Sequence, residues 1–230
     1  MDATETLSPG QSLRISKLSI NFPLVTLLLF SCGLAVVSNV YTMIPVNKVI
    51  AEAFNVPEIK AAWASSVFSI GHAAGMLVFS PLSERYGRKQ VLAAGLAVLA
   101  ACTFACGLAH SLGLLLFLRT LQGFFAASYG PVALALVFEI YPPERRATTI
   151  AWITTSFLMS GIIGQVASLW VTKTLGLPYV FFVFAIAYIF VCLLVWRILP
   201  LTPVKAPDTS LAAILKQTMR LFKKPELIKC

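Results

Sequence analysis

The chain has 230 residues, 58% of them hydrophobic and only 12% charged, with a net charge of +9. Soluble domains run at about 25% charged residues, so a water-soluble globular fold is excluded. The positive charge does not describe a nucleic-acid surface either, because the basic residues fall between apolar runs and at the two tails rather than on one face.

Residues 1–17 are polar and end on Arg14 and Lys17, which predicts a cytoplasmic tail closed by a basic anchor. Residues 18–46 carry no charge and make the first of six predicted spans, each matched to about 30 Å of hydrocarbon. This run is too long for a cleavable leader. Its second half is polar, and Asn39 needs a partner there, either on another helix or in a cavity. Residues 47–60 read as an external loop in which Lys48, Glu52, Glu58 and Lys60 cancel. Span 2, about residues 61–82, contains Gly71-His-Ala-Ala-Gly75, a spacing of small residues that lets helix backbones approach closely. His72 inside it is read as a packed neutral imidazole, with a proton-carrying role as the alternative.

A short charged loop follows, Ser80-Pro-Leu-Ser-Glu-Arg-Tyr-Gly-Arg-Lys89, between two long uncharged runs. Gly87 suits a tight turn and Pro81 an end or kink of the incoming helix. Glu84 beside Arg85, Arg88 and Lys89 puts both signs of charge in one place. Two readings stand: a basic loop that only sets orientation, and a functional element. Span 3 covers about residues 90–109, His110 and Ser111 make a short return, and span 4 runs over about 112–139. Span 4 holds the one intramembrane cation, Arg119. Burying it is costly unless it is paired or wet, so it is a functional-site candidate, with snorkelling to the interface as the alternative. Gln122 shares its face and Gly123 leaves room beside it. Gly130-Pro131 predicts a bend.

Tyr141-Pro-Pro-Glu-Arg-Arg146 is a second basic turn, ahead of span 5 at about 147–172 with its close-packing Ser160-Gly161-Ile-Ile-Gly164-Gln165. Span 6 starts at Pro178 and ends near Leu199, with Tyr179, Phe181, Phe182 and Phe184 as an interfacial belt at its outer end. In residues 200–230, Leu211, Ile214, Leu215 and Phe222 fall on one helical face and Lys216, Arg220, Lys223 and Lys224 mostly on the other. That pattern reads as a basic amphipathic helix on an anionic leaflet, or as a solvated linker. The basic residues gather in the tails and in the 2–3 and 4–5 connectors, which places both termini in the cytoplasm. Cys32, Cys102, Cys106 and Cys192 lie in apolar runs without the histidines or carboxylates of a metal set, so free thiols are expected. The spans offer no acid–base or nucleophile–base pair, so no enzyme activity is expected.

Three of these patterns coincide in order and spacing with those of a known family. Ser80–Lys89 resembles the loop 2–3 signature of the major facilitator superfamily, Arg119-x-x-Gln-Gly123 its helix 4 signature, and Pro142-Pro-Glu-Arg-Arg146 its helix 4–5 loop. The resemblance spans about residues 18–225 and is greatest to the drug/proton antiporter and sugar-efflux branch. It implies an all-α polytopic fold: an 18–199 bundle of six helices corresponding to the N-terminal half of the superfamily fold, followed by a linker. It also implies roles. Glu84, where the family has Asp, would brace the cytoplasmic face against the second half; Arg88 would pair with Glu139 at the inner end of helix 4; Arg119 would couple proton movement to conformational change. Three departures stand out: Ser80 replaces the first glycine of the loop signature, Gln165 stands where Pro is frequent, and helix 1 has no carboxylate. The implied function is proton-coupled efflux of a small organic solute by alternating access across the cell membrane, with the proton gradient as energy source and no cofactor. The implied partners are the lipid bilayer, the substrate, and a second six-helix half. The length leads to the expectation of a truncated product; the other readings are a dimer of two copies and a non-transporting interaction subunit.

Overall fold

The computed structural model describes residues 21–200. All regular structure there is helical: α1 (Phe22–Tyr41), a 3₁₀ turn (Ile44–Val46), α2 (Asn47–Ala53), α3 (Glu58–Ala61), α4 (Trp63–Tyr86), α5 (Arg88–Gly107), α6 (Leu112–Ala126), α7 (Gly130–Ile140), α8 (Pro143–Thr174) and α9 (Leu177–Ile198). These join into six rods, Phe22–Ala53, Glu58–Tyr86, Arg88–Gly107, Leu112–Ile140, Pro143–Thr174 and Leu177–Ile198, each long and apolar enough to cross a membrane. Local chemistry sets their starts. The Asn21 side chain accepts from the Leu24 amide and Ser111 from the Leu114 amide, satisfying donors the helix leaves open. Pro143 and Pro178 sit in first turns, where a missing N–H costs nothing. Side chains such as Leu158, Ile162 and Ile186 point outward, 75%, 72% and 67% exposed, an apolar surface suited to lipid or to another protein.

The rods pair α4 with α6, α5 with α9 and α1 with α8, and α5 also packs on α6. Glycines set the α4–α6 distance. A Cβ on Gly71 would collide with the Thr120 carbonyl oxygen, one on Gly75 with that of Phe124, and one on Gly123 with that of Phe68. The two backbones therefore touch along their length. One apolar core, including Leu29, Leu92, Leu96 and Leu136, fills the centre, and a second, around Met43, Ile50 and Leu115, fills the end away from Gly87.

The structure corrects several boundaries. Residues 47–60 are not an irregular loop: α2 and α3 fill most of them, with the turn made at Asn55, φ +51°. The charged stretch 80–89 is not a loop either. Pro81 lies inside α4, which continues through Glu84 and Arg85 to Tyr86, so only Gly87, at φ +91°, breaks the chain. A proline late in a helix is tolerated when its ring faces outward past the packed turns; the left-handed region is what demands glycine. Rod 5 begins at Pro143, not 147. Rod 4 is interrupted as expected, ending its first helix at Ala126 and restarting at Gly130-Pro131. The 1–17 tail and the amphipathic face of residues 211–224 lie outside the described residues.

Candidate functional site

Arg119 is wholly buried, at 0% exposure, and does not snorkel. Its guanidinium is held by groups on rods 1, 2 and 4. One terminal nitrogen donates to Asn39 Oδ1 at 2.6 Å and to Gln122 Oε1 at 2.7 Å; the other donates to the Asn39 carbonyl at 3.3 Å. Nε donates to the Ala64 carbonyl at 3.2 Å. The Phe68 ring covers the group, its centroid 4.4 Å from Cζ. Gln122 in turn donates through Nε2 to Thr103 Oγ1 at 2.7 Å. Among the described residues no carboxylate lies inside a rod; Glu52, Glu58, Glu84, Glu139 and Glu144 all sit at rod ends. The charge is thus stabilised by oriented neutral dipoles and one aromatic face, with four of five N–H donors engaged.

Sequence reasoning marked Asn39, Arg119, Gln122 and Gly123 separately, and the fold brings them together. Gly123 acts through its absent side chain: it lets α4 close on α6, so Ala64 and Phe68 can reach the guanidinium. Its carbonyl takes a 3.3 Å contact from His72 Nδ1, and His72 stacks on Phe68 at 6.0 Å. Ala64, Phe68 and Thr103 were missed. A backbone carbonyl has no sequence signature, and Phe68 and Thr103 look like ordinary members of apolar runs. Cys106 Sγ lies 3.8 Å from Gln122 Oε1, and no group of residues fit for a metal occurs among the described residues.

The second set lies at the Gly87 end. Arg88 Nε donates to Glu139 Oε1 at 3.0 Å, and Arg88 is 3.5 Å from Glu84. A terminal nitrogen of Arg88 also donates to Ser83 Oγ, a partner the sequence did not indicate. Arg88 opens α5 and Glu139 closes α7, so each charge opposes its own helix dipole. They compensate one another rather than their helices. Glu84 is exposed, with its side chain at 58%, whereas Arg88 is at 8%. Arg85 is not part of this cluster; it turns over the Tyr86 ring at 5.5 Å. Lys89 is drawn elsewhere too. Its Nζ donates to the Leu199 carbonyl at 2.6 Å and lies 5.7 Å from the Trp196 ring centre, placing a cation at the α9 C-terminus.

A family model described as Major Facilitator Superfamily matches residues 28–228. Multidrug resistance protein 3 of Bacillus subtilis is 27% identical over 124 residues, covering 54% of this chain and 24% of that protein. The multidrug export protein EmrB of Haemophilus influenzae is 24% identical over 140 residues, covering 61% of this chain and 28% of its own. Among solved structures, a bacterial homolog of the human lysosomal transporter Spinster, inward-facing and occupied, superposes with a TM-score of 0.69 at 20% identity, over 80% of this chain and 45% of that one. The chain therefore spans less than half the length of the relatives it matches.

Proposed function

The chain belongs to the Major Facilitator Superfamily, whose members are membrane transporters and not enzymes, and on that premise we propose that it forms the N-terminal six-helix half of a proton-coupled exporter of small organic solutes. It is a multi-pass membrane protein of six apolar rods. Residue charge supports an orientation with the Gly87 and Pro142 turns in the cytoplasm of a cell membrane, since Arg85, Arg88, Lys89, Arg145, Arg146 and Arg197 all lie at that end. Cysteines introduced at positions 86 and 144 then react with an impermeant reagent only after the cells are opened; reaction from outside intact cells would reverse the topology.

The observation that carries the reading is the Arg119 web. A guanidinium costs several kcal/mol to bury, and here it is held at the meeting point of rods 1, 2 and 4, so a relative shift of any of them disturbs its partners. Alternating access is largely a rocking of one half against the other around a mid-membrane site, and the web would hold rods 1, 2 and 4 together as one body through that motion. At the Gly87 end, Glu84 is exposed and could exchange its 3.5 Å contact with Arg88 for a helix of the second half, while Arg88–Glu139 ties the connector to rod 4. The likeness to multidrug export proteins supports export as the direction. Among the described residues the rod interiors hold no carboxylate, and His72, an ionisable imidazole within rod 2, contacts Gly123 directly. The test is gradient-driven flux in a reconstituted two-half transporter that contains this half: Arg119→Ala abolishes it while insertion persists. Unchanged flux would remove Arg119 from the mechanism.

The second reading is a non-transporting membrane fragment or interaction subunit, since six rods alone do not enclose a site between two halves. Solute flux from the purified chain as a strict monomer would defeat it.

A further inference from the structure

Two side-chain amides face Arg119, and only one of them is fixed at both ends. Gln122 turns Oε1 to the guanidinium and donates through Nε2 to Thr103 Oγ1 at 2.7 Å. Thr103, buried on rod 3, has already given its own proton to the Leu99 carbonyl at 2.6 Å, so its oxygen is left as an acceptor. The order is amide, hydroxyl, main-chain carbonyl. It leaves the Gln122 amide one orientation, with oxygen toward the cation. Asn39 also turns Oδ1 to Arg119, but its Nδ2 is buried and meets no acceptor in bonding geometry. A buried amide nitrogen left so is costly. Reversing the amide would not relieve it, because an NH2 group would then confront the guanidinium, donor against donor.

The side chain facing this nitrogen is Tyr188, on rod 6. It is wholly buried, and the other buried residues of α9 are apolar. The second hydroxyl of α9, on Tyr179, is on a side chain 49% exposed. A phenylalanine at 188 would fill the same space without burying a hydroxyl, which costs free energy unless it is used. The Tyr188 hydroxyl donates to the Ala35 carbonyl at 3.3 Å. That carbonyl has no need of it, since it lies inside α1, where the main-chain N–H of Asn39 is its helical donor. The contact does two other things. It commits the one phenolic proton to Ala35, and it sets the phenolic oxygen beside the turn that carries Asn39. Tyr188 therefore stands to Asn39 and Ala35 as Thr103 stands to Gln122 and Leu99.

We propose that Tyr188 is a positioning residue of the Arg119 site, its phenolic oxygen accepting from Asn39 Nδ2 and so holding Asn39 Oδ1 on the guanidinium. Tyr188 does not bind the cation; it acts through Asn39. Rods 3 and 6 then each supply one hydroxyl that orients one amide, and the two amides present their oxygens to a cation carried by rod 4. The inference rests on the reading of Arg119 as the centre of the transport machinery and deepens it. Its test measures no flux, so its failure and the failure of that reading are told apart.

The test uses the full 230-residue chain in detergent micelles, isotopically labelled at asparagine nitrogen, and follows side-chain amide signals by nuclear magnetic resonance. Asparagine occurs only at Asn21, Asn39, Asn47 and Asn55, and Asn39→Ser assigns the Asn39 pair by its loss. In the unsubstituted chain, a nuclear Overhauser contact is expected between an Asn39 Nδ2 proton and the Tyr188 ring, with that proton shifted downfield of its twin. Tyr188→Phe is expected to abolish the downfield shift while the signals of Asn21, Asn47 and Asn55 stay in place, which reports that the variant is folded. Absence of the contact in the unsubstituted chain overturns the proposal, and that measurement needs no variant to fold. A downfield signal that survives in Tyr188→Phe overturns it as well. So does movement of all four amides together, the mark of a side chain that only fills space.

Discussion

The two cationic sites of this bundle use opposite physics. Arg119 sits in the interior and is surrounded by neutral acceptors on rods that pack backbone to backbone. Arg88 sits at a rod end and is balanced by two carboxylates, one of them exposed. Charge–dipole contacts inside a low-dielectric core are short-ranged and directional, so Arg119 has one good geometry. Charge–charge contacts at a wet surface are longer-ranged and weak, so partners there can be exchanged. The interior contacts fix the rods relative to one another, and the end contacts are of a kind that can be exchanged at small cost.

The sharpest way to break that contrast is Arg119→Ala. It strips Asn39 Oδ1 of its donor, removes a contact from Gln122 Oε1 and from the Asn39 and Ala64 carbonyls, and leaves a cavity beside Phe68, so a loss of about 3 kcal/mol is expected in denaturant unfolding in detergent. Arg119→Lys recovers only part, because an ammonium cannot place the same forked donors. Next is Gly123→Val. Its side chain meets the Phe68 carbonyl, pries α4 from α6 and costs about 1–3 kcal/mol. If this variant unfolds no more easily than the parent, the close approach does not hold the web together. Glu139→Gln is smaller, about 1 kcal/mol or less, and the difference shrinks with added salt. Its larger effect is on labelling of cysteines placed near position 84, which becomes faster as the Arg88 tie is lost. Salt-independent behaviour would mean that the end site is not electrostatic. The smallest effect on stability is expected for His72→Gln, which keeps a donor for the Gly123 carbonyl. In a two-half transporter containing this half, it flattens the pH dependence of flux. An unaltered profile would place the proton elsewhere.

The six rods were legible because nothing except a helix can hold its backbone polar groups in hydrocarbon, and hydrophobic length alone reports that. Gly71, Gly75 and Gly164 were legible for a related reason: small residues at that spacing mean contact, and a Cβ on Gly164 would indeed meet Ser38. What the sequence hid was pairing. Asn39 and Arg119 each announced an unmet need for a partner, yet 80 positions separate them, and only the fold shows that each answers the other. The extent of α4 was misjudged because charge and proline were taken as marks of a loop. The structure keeps Glu84 and Arg85 helical, and a single left-handed glycine makes the turn.

The Lys89 contact with Leu199 has a consequence for everything that comes after it. The main chain leaves rod 6 at a carbonyl clamped to the residue that follows Arg88. The point at which the chain leaves rod 6 is thereby pinned beside the Glu84–Arg88–Glu139 cluster. A Lys89→Ala change would unpin that exit without altering any member of the cluster.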